Sequence, residues 1–111
     1  MSSNRFIGPS EGLNATVSST SYSKAFDIRT MLACAFFIDV GAGLTGQLEI
    51  EGSVDNVNFD TLGNVPVVPL TGVADTVIFD VPSTACGWIR AKITQTAGSA
   101  AVVVKFVSKG I

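Results

Sequence analysis

The segment GSVDNVNFD, residues 52–60, carries several side chains that could bind a cation through oxygen. Asp55, Asn58 and Asp60 offer oxygens of the kind that calcium prefers. The calcium-loop pattern also requires a glycine at its sixth position and a glutamate at its twelfth. Counted from Asp55, those positions hold Asp60 and Pro66, so the pattern fails. We therefore predict that Asp55 and Asn56 form a hairpin corner, where such residues tolerate positive φ, and that the chain holds no metal or cofactor.

Glu49 and Glu51 are the pair of carboxylates that catalysis could use. Residues at i and i+2 share a strand face about 7 Å apart, and glycoside hydrolysis uses two carboxyl groups at comparable separations. The alternation of residues 47–51 (QLEIE) instead favours a solvated strand face for both glutamates. Histidine is absent, which removes the commonest general base and zinc ligand. No phosphate loop or nucleophile elbow occurs, so we predict no catalytic residues and no enzymatic activity.

The composition is low in charge: charged residues make up 14% of the 111 residues, where about a quarter is usual. Part of the surface must then be apolar or uncharged, which predicts a partner such as another copy of the same chain. The net charge is −2 and the seven basic residues are scattered, which argues against nucleic-acid binding. No apolar run approaches the roughly 18 residues of a membrane span, and the N-terminus lacks the apolar region of a signal peptide. We expect a protein that is made in a cytoplasm and stays or assembles there, without membrane insertion.

Apolar and polar residues alternate with a period of two through much of the chain, which predicts β-strands. In residues 88–94 (WIRAKIT), Ile89, Ala91 and Ile93 are predicted to face the core and the even-numbered residues to face outward. Residues 76–81 and 101–107 alternate in the same way. After the corner, Val57 and Phe59 are also predicted to face inward. Residues 31–38 are apolar throughout, which predicts a central strand covered on both faces.

Turn signals built from glycine, proline, asparagine and aspartate recur about every ten residues. No helix longer than a single turn is predicted. This spacing predicts an all-β fold: an antiparallel two-sheet sandwich with about eight strands, similar to a jelly roll. Cys34 and Cys86 lie inside apolar runs and are predicted to be buried thiols, because a reducing compartment disfavours a disulfide.

Residues 1–12 (MSSNRFIGPSEG) are polar and punctuated by glycine and proline, apart from Phe6 and Ile7. Chain termini are commonly poorly ordered. We therefore predict a flexible N-terminal arm over residues 1–12 and a single β-sandwich domain over residues 13–111. The alternative is an arm whose Phe6 and Ile7 dock on a neighbouring subunit.

Short motifs in both halves of the chain also carry information. GSVDNVNF follows the pattern G/A-S-x-D-G/N-x-N-W/F, and Trp88-Ile89-Arg90 is followed by a Gly98-Ser99 turn and a valine-rich strand that ends in Lys109-Gly110. In their order and spacing, over about residues 22–110, these motifs resemble the small β-sandwich domains of structural proteins in tailed bacteriophages. Members of that family are head decoration or cement proteins and domains of fibres and spikes. The resemblance implies a structural role and assembly into oligomers, and it does not supply catalytic residues.

Two functions remain as hypotheses. In the first, the chain is a virion component made in a bacterial cytoplasm, a capsid decoration protein that binds its own copies, as a trimer or dimer, and major capsid or other virion subunits. Its interface would include Phe6, Ile7, Trp88 and Arg90. In the second, it is a carbohydrate- or receptor-binding module of a tail fibre or spike, in which Trp88, Arg90 and Lys92 form an exposed platform. Trp88 would otherwise cap the edge of the core beside a cationic side chain.

Overall fold

The computed structural model describes residues 5–81 and 86–110. Within those ranges the chain is all-β, with ten strands and no helix that could span a membrane. The strands are β1 (Arg5–Val17), β2 (Ser21–Tyr22), β3 (Phe26–Asp27), β4 (Met31–Val40), β5 (Leu44–Ser53), β6 (Asp60–Thr61), β7 (Val68–Thr71), β8 (Asp75–Val81), β9 (Trp88–Gly98) and β10 (Ala100–Gly110).

The strands form two antiparallel sheets. Sheet A has four strands in the order β1-β10-β4-β8, and sheet B has the order β2-β9-β5-β6 with β3 also paired to β9 and β7 also paired to β5. Because β2 and β3 follow one another along β9, and β6 and β7 along β5, each pair acts as one interrupted strand. Ten strands then count as eight, and their order is that of a jelly roll. The predicted antiparallel sandwich is confirmed.

The sheets pack their apolar faces against each other. On β9, Ile89, Ala91 and Ile93 are fully buried, and the even-numbered residues between them point away from the core, as the alternation predicted. Phe26 and Phe106 stack with ring centroids 4.3 Å apart, and the Phe36 ring lies 5.2 Å from that of Phe106. Burying one large apolar side chain contributes about 1.5–3 kcal/mol, so this core holds the two sheets together.

The N-terminal segment differs from the predicted arm. Residues 5–12 lie within β1, which pairs with β10 from Arg5 opposite Gly110 to Val17 opposite Ala100. The pairing has a physical reason, because without β1 the long strand β10 would be an open sheet edge. Residues 1–4 lie outside the described residues. Only the backbone of Phe6 and Ile7 is described, so the predicted docking of their side chains also lies outside what the structure describes.

Strand β4 is an inner strand of sheet A, as predicted, but the expectation that it is covered on both faces is wrong. Phe36 and Ile38 are fully buried, whereas Phe37 is 41% exposed and both Ala33 and Asp39 are exposed. A sandwich has two layers, so each sheet has an outer face with no second sheet over it. The uninterrupted apolar run therefore supplies both a core face and an apolar surface.

Candidate interaction surfaces

The outer face of sheet A is a largely apolar surface centred on Phe37. The register places Phe37 between Ile78 of β8 and Lys105 of β10, and it places Ala35 between Asp80 and Val107. Phe37 is 41% exposed and Ile78 is 64% exposed. We define this surface, the sheet A outer face, by the following residues: Ala33, Ala35, Phe37, Ile78, Asp80, Lys105 and Val107.

A depression lies on one side of Phe37. It has a volume of about 380 Å³ and is lined by Pro9, Phe37, Lys105, Phe106 and Val107. Pro9 reaches this position because β1 makes a bulge between Ile7 and Ser10. Gly8 permits the bulge, since its φ is +102° and a Cβ there would lie 2.7 Å from the Phe106 carbonyl oxygen, a conformation that L side chains rarely adopt. The sheet A outer face therefore has both a protruding apolar side chain, Ile78, and an apolar hollow.

Two charged side chains flank β4 on this face. Lys105 lies on β10 and Asp80 on β8, and both are exposed. Neither forms an ion pair with another described residue. Glu11 of β1 lies directly opposite Lys105, and Asp39 lies on β4 itself, so charges of both signs border the apolar centre.

The outer face of sheet B is polar and makes its own contacts. The register places Glu49 opposite Lys92 and Glu51 opposite Arg90. Arg90 Nε donates to Glu51 Oε1 at 2.8 Å, and Lys92 Nζ lies 3.7 Å from Glu49 Oε1. Thr61 on β6 donates to the other Glu49 oxygen at 2.6 Å. The prediction of a solvated face for both glutamates is wrong, because each is only 6% exposed and each carboxylate has a partner from a neighbouring strand.

Aromatic rings cover both faces of the Arg90 guanidinium. Its central carbon lies 4.2 Å from the Tyr22 ring centroid and 4.0 Å from that of Phe59. Phe59 therefore packs over the outside of sheet B, and the prediction that it faces inward is wrong. Val57 is also not inward, since it is 76% exposed. Arg90 thus joins β2, β9, β5 and the segment before β6 through its ring contacts and its bond to Glu51.

Trp88 lies on the same outer face, and its ring is likewise covered. The Arg29 guanidinium carbon lies 4.6 Å from the Trp88 ring centroid. Arg29 donates to both carboxylate oxygens of Asp27, at 3.0 and 2.6 Å, which lowers the pKa of Asp27 to about 2. Trp88 is partly buried on the outside of sheet B, and Arg29 is the cationic side chain beside it.

Asp55 and Asn56 lie at the corner between β5 and β6. Asp55 Oδ1 accepts from the backbone N–H groups of Val57 and Asn58, both at 2.9 Å, and Oδ2 accepts from the Asn58 side chain at 2.9 Å. These bonds favour the ionised form, so the pKa of Asp55 lies well below its usual value. Asn56 takes the positive φ, 60°, that the turn needs. In the ranges that the structure describes, no three cysteine or acidic residues come together as metal ligands.

The predicted interface residues are divided between the two sheets. Trp88 and Arg90 lie on the outside of sheet B, whereas the backbone of Phe6 and Ile7 belongs to sheet A. Sequence reasoning did not identify Phe37, Ile78 or the charges beside them. The sequence did contain one signal for this surface. Ile78 is an apolar residue at an outward position of its strand, where its neighbours on the same face, Thr76 and Asp80, are polar.

The geometry defines the class of protein: a jelly-roll sandwich with one polar outer face and one largely apolar outer face. No family model matches the chain, and no curated protein matches it by sequence. Among solved structures, the crystal structure of the SPBc2 prophage-derived protein YomS has a similar fold, with a TM-score of 0.62 and 11% sequence identity over 96% of this chain and 93% of that one. At this identity the likeness concerns the fold.

Proposed function

We propose that the chain is a structural protein of a bacteriophage particle that works by binding other subunits through the sheet A outer face. The observation that carries this proposal is the exposed apolar centre around Phe37 and Ile78 in a domain whose other outer face is occupied by its own contacts. Contiguous exposed apolar surface on a small soluble domain usually marks an interaction site. The similar fold of a prophage-derived protein and the resemblance of the sequence motifs to virion domains both support it.

Within this class, we propose a capsid decoration protein, present in the particle after synthesis in the bacterial cytoplasm. Its partners would be its own copies and the major capsid or other virion subunits. A decoration protein needs no catalytic group, because many copies acting together stabilise a shell through contact area alone. We therefore propose that the chain is not an enzyme.

The second hypothesis, a carbohydrate- or receptor-binding module, has less support from the geometry. A sugar-binding platform needs an accessible aromatic ring. Arg29 lies over the ring of Trp88, and Arg90 lies between Tyr22 and Phe59. A sugar would therefore compete with an arginine for one face of each of these rings.

The proposal is tested by looking for the protein in purified particles of the phage that encodes it, with mass spectrometry and cryo-electron microscopy. We expect the wild-type chain in many copies per particle and a large loss of incorporation for Phe37→Asp. Val54→Asp is the matched control, because Val54 is 77% exposed and lies at the β5–β6 corner, away from sheet A. Absence of the wild-type chain from intact particles would refute the proposal, as would equal incorporation of both variants.

A further inference from the structure

We propose that the open edge of β8 pairs with the same edge of a second copy of this chain, antiparallel and centred on Ile78, so that two sheets A join into one. The surface is the backbone edge of residues 75–81, which is distinct from the sheet A outer face. The inference rests on the proposed function in that it says how the copies of the protein associate. Edge strands present unpaired N–H and C=O groups that favour pairing with another chain.

Strand β8 is the regular edge of this fold. It pairs on one side with β4, and its seven residues lie opposite residues 34–40 without a register shift. The opposite edge of sheet A, β1, has two register shifts, and both edges of sheet B are interrupted strands of two to four residues. Bulges and short strands are devices that protect a sheet edge from pairing. Over its described residues, 75–81, β8 has neither.

The direction of the β8 backbone groups follows from the pairing of β4. The Gly41 N–H donates to the Ala101 carbonyl at 2.8 Å, and the β4–β10 register places these two residues opposite each other. Because backbone groups alternate between the two sides of a strand, the odd-numbered residues of β4 bond to β10 and the even-numbered ones bond to odd-numbered residues of β8. The N–H and C=O groups of Thr76, Ile78 and Asp80 therefore point to the open edge.

These outward groups are spaced so that the edge complements itself. When Ile78 of one copy lies opposite Ile78 of the other, Thr76 of each copy lies opposite the partner's Asp80. Each such pair makes two hydrogen bonds, so the three pairs make about six. A shift of two residues in either direction places Ile78 opposite a polar residue and moves one outward residue past the end of the other strand. This complementarity is the reason to name a second copy as the partner.

The side chains suit the same register. Ile78, which is 64% exposed, meets its own copy on the outer side, and on the inner side Val77 lies opposite the partner's Phe79. Asp80 meets an uncharged threonine. The nearest like charge is Asp39, one strand beyond Thr76, so it lies about 10 Å from the partner's Asp80 at usual strand spacing, where water and salt screen the repulsion.

Pairing requires one local exchange of hydrogen bonds. In the single chain, Asp75 Oδ1 accepts from the Thr76 N–H at 2.9 Å. In the dimer this N–H donates to the carbonyl of the partner's Asp80, and the exposed Asp75 carboxylate turns to water. A strand edge buries less area than a sheet face, and small interfaces are weak. We therefore expect a dissociation constant of about 100 µM.

The assembly closes after two copies and enlarges the apolar surface. Each chain offers one regular edge, and the pairing uses it in both copies, so the sheet does not continue. Directly opposed residues of antiparallel strands lie on the same face, so the two sheet A outer faces lie side by side. Phe37 is level with Ile78, and the junction places two copies of each in one row about 14 Å long. This joined surface is the one that would contact other virion subunits.

Disulfide trapping tests the register. Opposed residues of a hydrogen-bonded pair have Cα atoms about 5.5 Å apart, a separation that a disulfide spans. Ile78→Cys should therefore give a covalent dimer on mild oxidation at about 100 µM, with the bridge at residue 78 in peptide mass spectra. Thr76→Cys is the matched control, because its two copies lie about 14 Å apart along the strands and a disulfide does not span that distance.

A proline substitution tests the hydrogen bonds. Ile78→Pro removes an outward N–H and leaves the bonds to β4, and proline is tolerated on edge strands whose N–H faces away from the sheet. By symmetry the dimer loses two hydrogen bonds, so its dissociation constant in sedimentation velocity should rise by about tenfold or more. Ile78→Val keeps the N–H and should stay within about threefold of wild type. Far-ultraviolet circular dichroism verifies that both variants fold.

Three results would overturn the inference: a wild-type chain that is monomeric up to about 1 mM, equal trapping of Ile78→Cys and Thr76→Cys, or a folded Ile78→Pro that dimerises as well as Ile78→Val. If Ile78→Pro does not fold, the disulfide pair still decides. Particle composition separates the two proposals. A chain that is present in particles but monomeric in solution refutes this dimer and leaves the virion function standing, whereas a dimer that is absent from particles refutes the virion function alone.

Discussion

Arg90 and Glu51 face each other across β9 and β5, with the Arg90 Nε–H donating to Glu51 Oε1 at 2.8 Å and aromatic rings covering both faces of the guanidinium. The pair lies on the outside of sheet B, yet the Glu51 side chain is only 8% exposed and that of Arg90 is 26% exposed. Sheet B thus covers its outer face with its own side chains. Sheet A does not, which is why we assign intermolecular binding to sheet A.

We predict that Arg90→Ala lowers the free energy of unfolding by about 2–4 kcal/mol. The substitution leaves the largely buried Glu51 carboxylate without its cation and removes the packing of the guanidinium between Tyr22 and Phe59. Arg90→Lys should cost less, about 1–2 kcal/mol, because it keeps the charge and loses the planar group. Urea denaturation at low protein concentration measures both values.

The control for this prediction is Lys105→Ala. Lys105 is exposed and has no ion pair with another described residue, so the substitution should change the stability of the monomer by no more than about 0.5 kcal/mol. Equal effects of Arg90→Ala and Lys105→Ala would contradict the structural role that we assign to Arg90.

A second prediction compares two isoleucines. Ile93 on β9 is fully buried and Ile78 on β8 is 64% exposed. Ile93→Ala should cost about 2–5 kcal/mol, because it leaves a cavity in the core, whereas Ile78→Ala should cost the monomer no more than about 0.5 kcal/mol. Chemical denaturation of both variants at the same protein concentration measures the difference. Comparable losses at the two positions would show that the assignment of inner and outer faces is mistaken.

The alternation of apolar and polar side chains predicted the fold class and the inner faces. In a strand, the face on which a residue lies depends only on whether its position is odd or even. Ile89, Ala91 and Ile93 occupy alternate positions and are all buried, as this rule requires. Contacts across strands depend on which strands are neighbours, and a local pattern does not contain that information. Arg90 and Glu51 are 39 residues apart in sequence, so their burial as a pair could not be predicted from either strand alone.

The apolar run of β4 shows a related limit. A run without polar residues predicts that a strand is inside the sheet, but it does not say whether a second layer of the same molecule covers it. Phe37 and its exposed neighbours are covered only if another molecule supplies the layer. The prediction of a flexible arm did not foresee the strand over residues 5–12 for a similar reason. These residues pair because β10 would otherwise have an open edge, and their own composition does not reveal that edge.

The bulge in β1 gives a third prediction. Gly8→Ala should destabilise the protein by about 1–3 kcal/mol, since alanine is strained at a φ of +102° and its Cβ would contact the Phe106 carbonyl. Gly63→Ala is the matched control, because a Cβ there meets no atom within 4 Å. Thermal unfolding of the two variants, followed by circular dichroism, measures the contrast. A tolerated Gly8→Ala would mean that the bulge does not depend on glycine.

The fourth prediction concerns the pH dependence of the corner. The folded-state pKa of Asp55 lies below its usual value of 3.8, chiefly because its carboxylate accepts the backbone N–H groups of Asn58 and Val57. A depressed pKa contributes stability that is present above the usual pKa and is lost as the pH falls through the folded-state value. Asp55→Ala should therefore lower the melting temperature at pH 7, and the difference from wild type should shrink as the pH is lowered below about 4.

Melting curves of wild type and Asp55→Ala between pH 7 and pH 2 test this expectation, with Asp60→Ala as a control at the same corner. Asp60 is exposed, and its side chain accepts one described hydrogen bond, from the Thr61 N–H, so its loss should matter less. Adding calcium should not change the melting temperature of the wild type, because the chain's own donors already occupy the Asp55 oxygens. A calcium-dependent rise that disappears in Asp55→Ala would show that the corner binds a cation and would overturn its interpretation as a turn.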